Sequence, residues 1–489
     1  KTAYEISACL VGSEMCIRDR FFFGLKGNLN MSSDFKNEER LFGTDGIRGT
    51  VNKGKITALM AVKLAMAAGD YFFGRAGTKK PRVLIGKDTR LSGYMLEPAL
   101  VSGFTSVGLD AITTGPMPTP AIAHLTRALR CDLGVMISAS HNPYEDNGLK
   151  LFGSDGFKLN DDVENEIQSK MEKNPSLAKS ENLGRARRME DAIGRYAEFV
   201  KQILPKKADL RGLRVVVDCA NGASYKVAPE VLFELGADAR IIGAQPNGKN
   251  INFECGAMFP KKMAEQTRLL GADLGIAFDG DADRVVFSDE NGNIIDGDLI
   301  LGFLANEMKK NNEFSDSPVV GTLMSNLGLE NYLKEKNIDF LRTNVGDRYI
   351  LSKMIETNSK LGGEPSGHVL LTDFAKTGDG LLTCIKILYL LKKSGLKASK
   401  ILRPFKLVPQ LLKNIKNIDK KILQKNNVQD FINNKQNILG NDGRVLIRPS
   451  GTEELVRVMV ESSDLEQVRE ISSEITKFLI KESDSKNNG

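Results

Sequence analysis

Three βαβ-type units with mixed sheets and a C-terminal α+β unit, arranged around one central cleft, make up the α/β architecture that this chain predicts. Three observations lead there. Short apolar runs alternate with helix-period segments over most of the length, the signature of strand-helix-strand units. The alternation breaks after Arg403-Pro404. Four loops rich in Gly, Ser, Pro or Asp each follow an apolar run, which is where α/β proteins place their chemistry. The 489 residues allow two to four domains, and 41% hydrophobic with 27% charged residues is a globular composition.

The first thirty residues stand apart. Glu14-Met15-Cys16-Ile17-Arg18-Asp19-Arg20 back-translates to a transposon-end sequencing adaptor, so residues 1–30 read as a non-native segment and Met31 as the natural start. A signal peptide is the rival reading, but the run Ala8-Cys9-Leu10-Val11 is too short and its flanking charges are on the wrong side. The first unit is expected over 41–191. In it Arg82-Val83-Leu84-Ile85-Gly86 reads as a strand, Met95 to Val107 as a helix, and Asp132 to Ile137 as the strand that delivers the first loop. His124 reads as an ordinary helix residue, and Lys173 to Asp191 as an interdomain helix or linker. The second unit, 192–290, opens on the strand Leu213 to Asp218 and continues through a helix from Ala228 to Leu235. The third, 291–402, runs from a helix at Leu299 to Lys310 through Val319-Val320-Gly321 to a long helix from Leu381 to Lys393. In the fourth, 403–489, two apolar runs flank a loop and an amphipathic helix from Leu465 to Ile480 closes the chain.

The first loop, Ser138-Ala139-Ser140-His141-Asn142-Pro143, sets a nucleophile beside one of only three histidines in the chain. Adjacency alone is weak evidence, because neighbours in an extended segment point to opposite faces and cannot share a triad-type hydrogen bond. The second loop, Asp279-Gly280-Asp281-Ala282-Asp283-Arg284, carries three carboxylates at alternate positions. Three anions so close repel one another unless they share a cation, and oxygen-only ligands suit a hard ion such as Mg²⁺. A solvated acidic turn is the plain alternative. An EF-hand loop fails, because its sharp turn needs glycine where Arg284 stands and Val285-Val286-Phe287 reads as a strand. The third loop offers Glu364, Ser366 and His368, which can hydrogen-bond vicinal sugar hydroxyls. In the fourth, Arg448-Pro449-Ser450-Gly451-Thr452-Glu453, an arginine, two hydroxyls and glycine-exposed amides make a phosphate cradle, against the alternative of a hairpin turn that happens to hold an arginine.

Several classes are excluded. No segment approaches the roughly 18 uninterrupted apolar residues that a membrane span needs. The net charge of +6 is small and dispersed, and the lysines between Lys406 and Lys435 come without an aromatic platform, so nucleic acid is not a partner. No Walker-type or dinucleotide-binding glycine fingerprint occurs. Beyond residue 30, Cys131, Cys219, Cys255 and Cys384 are widely spaced singletons, as reduced thiols of a cytoplasmic protein would be.

In this order the four loops resemble those of the α-D-phosphohexomutase superfamily, from about Leu41 to about Leu479. The opening Phe42-Gly43-Thr44-Asp45-Gly46-Ile47-Arg48-Gly49 and the fourth loop are most similar to the bacterial subfamily that interconverts glucosamine 6-phosphate and glucosamine 1-phosphate. Relatives acting on mannose and glucose phosphates more often carry asparagine where Gly451 stands. Pro365 and Ala282 depart from the subfamily pattern, which more often has glutamine and glycine there, but neither removes a ligand side chain. The resemblance implies that Ser140 carries a phosphoryl group and that one Mg²⁺ is held by Ser140, Asp279, Asp281 and Asp283. It implies a glucosamine 1,6-bisphosphate intermediate, and Arg448, Ser450, Gly451, Thr452 and Arg457 holding the phosphate that is not reacting. His141, Lys150 and Arg48 are candidates for proton traffic at the sugar hydroxyl. Glu364 and Asp347, the latter beside Arg348, are candidates for the amino group of a small-molecule hexosamine phosphate. A phosphomannomutase or phosphoglucomutase, and a non-catalytic sugar-phosphate binder, are the alternatives. The resemblance is compatible with a homodimer.

Overall fold

The computed structural model describes residues 40–43, 45–73, 80–314, 317–440, 442–449 and 455–484. The expectations for residues 1–30, and for Ser450, Gly451 and Thr452, therefore lie outside the described residues. From Leu41 onward the chain forms one unit of four sheets with helices, and it is an α/β protein.

The first sheet has six strands in the spatial order Ile47–Thr50, Asp146–Gly153, Leu133–Ile137, Arg82–Lys87, Asp110–Pro116 and Ala186–Arg188. Its middle is parallel, and Asp146–Gly153 is antiparallel to both of its neighbours. Leu133–Ile137, parallel to one neighbour and antiparallel to the other, is buried along its whole length, as a central strand covered on both faces must be. The expected helix or linker over Lys173 to Asp191 is not a regular helix. It holds one short 3₁₀ turn, Ser180–Asn182, and the strand Ala186–Arg188, which pairs in parallel with Asp110–Pro116. Its charged residues are tolerated because the strand lies at a sheet edge and exposes all three side chains.

The second sheet orders Ile294–Ile295, Val285–Ser288, Leu274–Phe278, Arg214–Asp218 and Asp238–Ile242, with a tight antiparallel turn between Leu274–Phe278 and Val285–Ser288. The third orders Phe340–Thr343, Val319–Thr322, Leu361–Gly363 and Val369–Leu371. The fourth is antiparallel, with Leu455–Ser462 between Gln410–Lys416 and Gly443–Pro449 and the helix Leu465–Asp484 packed on it.

One apolar core runs without a break from Leu84 and Ile122 through Val215 and Phe278 to Leu301, Leu333 and Leu388, so the first three sheets share their packing. The last sheet has its own core, built on Ile415, Val456, Val458, Val468 and Ile475. It meets the third sheet through polar groups instead. Arg444 Nη2 donates to the Ser325 carbonyl at 3.0 Å and pairs with the buried Glu461 at 2.6 Å, while Asn326 exchanges two hydrogen bonds with the backbone of Val408.

Candidate active site

Ser140 stands just past the carboxyl end of Leu133–Ile137, where open α/β sheets bind ligands. Its backbone adopts φ +52°, the left-handed region that non-glycine residues seldom visit. That conformation overturns the expectation that Ser140 and His141 face apart. The chain is not extended here, and Ser140 Oγ lies 3.3 Å from His141 Nδ1. The same oxygen donates to Asp279 Oδ2 at 2.6 Å.

The three aspartates occupy the turn between two strands of the second sheet and are all buried. One ligand oxygen from each can be chosen so that all three lie within 4.8 Å of one another. Asp279 is pushed well above the usual carboxylate range, first by burial and then by repulsion from Asp283 and Asp281. Oδ1 of Asp281 and Oδ1 of Asp283 are buried without a hydrogen-bond partner among the described residues. Unpartnered buried carboxylate oxygens converging on one point are the donor set of a hard divalent cation. The residues present therefore fit a metal ion. Gly280 is required between the two loops: a Cβ there would come within 2.5 Å of the Ser140 carbonyl oxygen.

Cations surround this cluster. Lys150 is fully buried and places Nζ 2.8 Å from Asp281, 3.2 Å from Asp45 and 3.4 Å from Asp283. Burial alone would lower its pKa, but these carboxylates outweigh it and hold the amine as an ammonium. Arg48 pairs with Asp45 and is likewise held charged. His141 behaves oppositely: burial first, then Arg284 and Arg48, lower it to about 4 and keep the imidazole neutral. Of the three candidates for proton transfer, His141 alone offers a free lone pair in this arrangement.

Next to the acidic loop, His368 sits with Nδ1 3.8 Å from Asp283 and Nε2 3.7 Å from Asp347. Burial opposes its protonation, yet Asp283, Asp347 and Glu364 raise its pKa. Gly378 must be glycine beside it, since a Cβ would meet the imidazole at 2.3 Å. Glu364 accepts from Gly346 N at 3.0 Å and from Ser366 Oγ at 3.1 Å. Asp347 is bound by Lys158 at 2.5 Å, and Lys158 also reaches Asp45. Arg348 is not brought to the sugar side. Its guanidinium turns to Asp161, to Glu164 at 3.3 Å and to the Leu159 carbonyl at 2.5 Å.

Arg448 and Arg457 face one another as cross-strand partners. Like charges directly opposite on a sheet are unfavourable without an anion between them. Burial and Arg457 together lower the pKa of Arg448, and its Nε is buried without a hydrogen-bond partner among the described residues.

Sequence reasoning missed the residues that shape this site. Thr119 Oγ1 donates to Asp281 Oδ2 at 2.5 Å, and Lys158 links Asp45 of the first unit to Asp347 of the third. Asp88 and Arg90 brace the serine loop: Ser138 Oγ donates to Asp88 at 2.7 Å and in turn accepts from Ser140 N at 2.9 Å. Charged residues immediately after the strand Arg82–Lys87 were the available signal, because that strand is parallel to the serine strand and ends at the same edge.

The class follows from comparison with known proteins. Family models for domains I, II, III and IV of phosphoglucomutase/phosphomannomutase match residues 39–178, 194–292, 296–407 and 411–478. The chain belongs to the phosphoglucomutase/phosphomannomutase family. Within it, a phosphoglucosamine mutase of Rhizobium etli is 51% identical over 440 residues, covering 90% of this chain and 97% of the relative. One of Parvibaculum lavamentivorans is 53% identical over 438 residues, covering 89% and 97%. Among solved structures, a phosphoglucomutase/phosphomannomutase family protein of Burkholderia thailandensis shares the fold with a TM-score of 0.76 at 23% identity, covering 91% of this chain and 97% of that one. An Aspergillus fumigatus N-acetylphosphoglucosamine mutase, solved with GlcNAc-6P and magnesium, gives 0.64 at 16% identity, covering 91% and 96%.

Proposed function

We propose that this chain is a phosphoglucosamine mutase, an isomerase that interconverts glucosamine 6-phosphate and glucosamine 1-phosphate and so supplies amino-sugar precursors for UDP-N-acetylglucosamine and the cell wall. The observation that carries the reading is Ser140 Oγ, held 2.6 Å from Asp279 and 3.3 Å from a neutral imidazole, against three clustered carboxylates. Identity of 51–53% to the phosphoglucosamine mutases supports the choice of substrate.

In the working enzyme Ser140 is phosphorylated. Asp279, Asp281, Asp283 and a phosphoserine oxygen would hold Mg²⁺, which supplies charge neutralisation and electrophilic activation when bound. The P–O bond to Ser140 Oγ breaks as a new P–O bond forms to the free hydroxyl of the sugar phosphate. The hydroxyl proton leaves through His141, whose Nδ1 lies 3.3 Å from Ser140 Oγ, and ends on the released Ser140 Oγ. Lys150 and Arg48 offset the negative charge on the moving group. The 1,6-bisphosphate then turns end for end, and its other phosphate returns to Ser140. Arg448, Ser450, Gly451, Thr452 and Arg457 grip whichever phosphate is idle, and a cradle of amides and arginines accepts both orientations. Glu364, Ser366 and His368 bind the sugar hydroxyls. Glu364 is the carboxylate for the substrate ammonium, since Asp347 is engaged by Lys158. The four cysteines among the described residues are buried free thiols, which supports a cytoplasmic location. Among the described residues no helix is long and apolar enough to cross a membrane.

A coupled turnover assay on glucosamine 6-phosphate, with glucose and mannose 6-phosphates alongside, tests the reading. Turnover should favour the amino sugar and vanish in Ser140→Ala. Undiminished turnover in that variant would overturn the role of Ser140, and a higher kcat/KM on mannose or glucose phosphate would move the chain to the other branch of the family.

A further inference from the structure

The Ser140 carbonyl is held from two sides by groups on different domains. From domain I comes Arg90, whose side chain is completely buried. Its Nη2 donates to Ser140 O at 2.9 Å and Asn142 O at 2.8 Å, and its Nη1 to Pro143 O and to Asp146 O at 3.1 Å. Asp88 fixes the guanidinium by accepting from Nε at 2.8 Å and from the backbone N at 2.9 Å. From domain II comes Asn252, which is 5% exposed. Its Nδ2 donates to Ser140 O at 2.9 Å and to Asn142 O at 3.1 Å. Both lone pairs of the Ser140 carbonyl are thus used, one by each domain.

The left-handed turn at Ser140 is a disfavoured conformation for a serine and persists only where its surroundings over-determine it. Releasing the turn would rotate the peptide plane and leave a buried carbonyl without partners. Asn252 is itself held, by a hydrogen bond from its backbone N to Ala220 O at 2.9 Å and by a left-handed φ of +58° that asparagine tolerates. Its carboxamide also lies against the acidic loop, since a Cβ at Gly280 would meet Asn252 Nδ2 at 2.7 Å.

We infer that Asn252 is a positioning residue that keeps the nucleophile turn of domain I in register with the acidic loop of domain II. The inference rests on the mutase reading and adds to it a residue outside the four loops. The carboxamide of Asn252 is spent on the Ser140 and Asn142 carbonyls, and it fixes the plane from which Ser140 Oγ projects. Misplacing a nucleophile by a fraction of an ångström lowers the chemical step and leaves substrate affinity alone.

Two variants test this. Asn252→Gly removes the carboxamide without straining the positive φ. Asn252→Asp keeps the volume and turns a carboxylate towards two carbonyl oxygens. Turnover on glucosamine 6-phosphate is measured per phosphorylated Ser140, counted by intact mass, so that misfolded or unphosphorylated protein does not enter. Asn252→Gly should lower kcat per phosphoserine about tenfold with KM within about twofold of the parent, and Asn252→Asp should lose more. A lower melting temperature or a smaller phosphorylated fraction, with kcat per phosphoserine unchanged, would reduce Asn252 to a structural part and overturn the inference. Parental activity in Asn252→Asp would also overturn it. A parent that turns over no hexose phosphate would instead refute the mutase reading.

Discussion

Replacing Lys150 by methionine keeps most of the side-chain volume and removes a cation that sits wholly out of water among three carboxylates. Its Nζ lies 2.8, 3.2 and 3.4 Å from Asp281, Asp45 and Asp283. At an effective dielectric constant of about 20, each contact corresponds to roughly 5 kcal/mol of attraction, much of it offset by the desolvation of the ammonium. Removing one partner of such a buried group leaves uncompensated charge and costs about 3–5 kcal/mol. For a unit that runs from Leu41 to the end of the chain the melting temperature should fall by on the order of 3–5 °C. Because Asp281 and Asp283 also carry unpartnered oxygens, a divalent cation can take over part of the lost charge. Mg²⁺ should therefore raise the melting temperature of Lys150→Met more than that of the parent. Scanning calorimetry with and without Mg²⁺ reads both effects. A variant within about 2 °C of the parent, with the same response to Mg²⁺, would refute the electrostatic account of this cluster.

Other perturbations separate the remaining parts. Asp281→Asn should lower kcat/KM at least about tenfold with partial recovery at raised Mg²⁺, whereas Arg448→Ala should raise KM and depress kcat with no such recovery; equal rescue of both would refute separate roles. A chain beginning at Met31 should turn over and melt like the full chain, and a large loss of either would show that residues 1–30 belong to the protein. His124, stacked on Phe199 at 3.7 Å, is lowered from 6.5 to about 4 by burial first and Arg127 second. The unfolded chain therefore binds the proton more readily than the folded one, so stability is intact above pH 6.5 and is lost as pH falls towards 4. With a partly exposed ring the loss is about 1–2 kcal/mol. Thermal melts of His124→Phe should lack that part of the acid slope, and identical slopes would refute the assignment.

The strands and loops that bear the chemistry were legible because each couples a local apolar period to an unusual loop composition. Leu133–Ile137 and Leu274–Phe278 are unbroken apolar runs, and the residues after them are those a phosphoryl carrier and a metal need. What the chain did not disclose is long-range. The strand Ala186–Arg188 is charged and exposed, so its pairing with Asp110–Pro116 depends on a partner far away in the sequence. Ser140 and His141 were expected to face apart because a left-handed φ at a serine has no local signal; it is imposed by donors from Arg90 and Asn252. Arg348 was expected at the sugar because it follows Asp347, yet it lies in the first turn of the helix Asp347–Glu356 and its guanidinium is taken by acids of another domain. Such choices among partners are decided by topology.

The separate core of the last sheet has a thermodynamic consequence. Swinging it away from the third sheet would break polar contacts, because among the described residues Arg444, Glu461, Asn326 and backbone carbonyls join the two while the apolar core of the last sheet is its own. Such a motion would carry a small heat-capacity change, so its equilibrium would vary little with temperature while responding to salt, the reverse of unfolding. The cradle of Arg448 and Arg457 would travel with that sheet. Admission of a sugar phosphate and release of the product would then be governed by ionic strength more than by warmth, and amide exchange in Gly443–Pro449 and Leu455–Ser462 would quicken with added salt well below the melting transition.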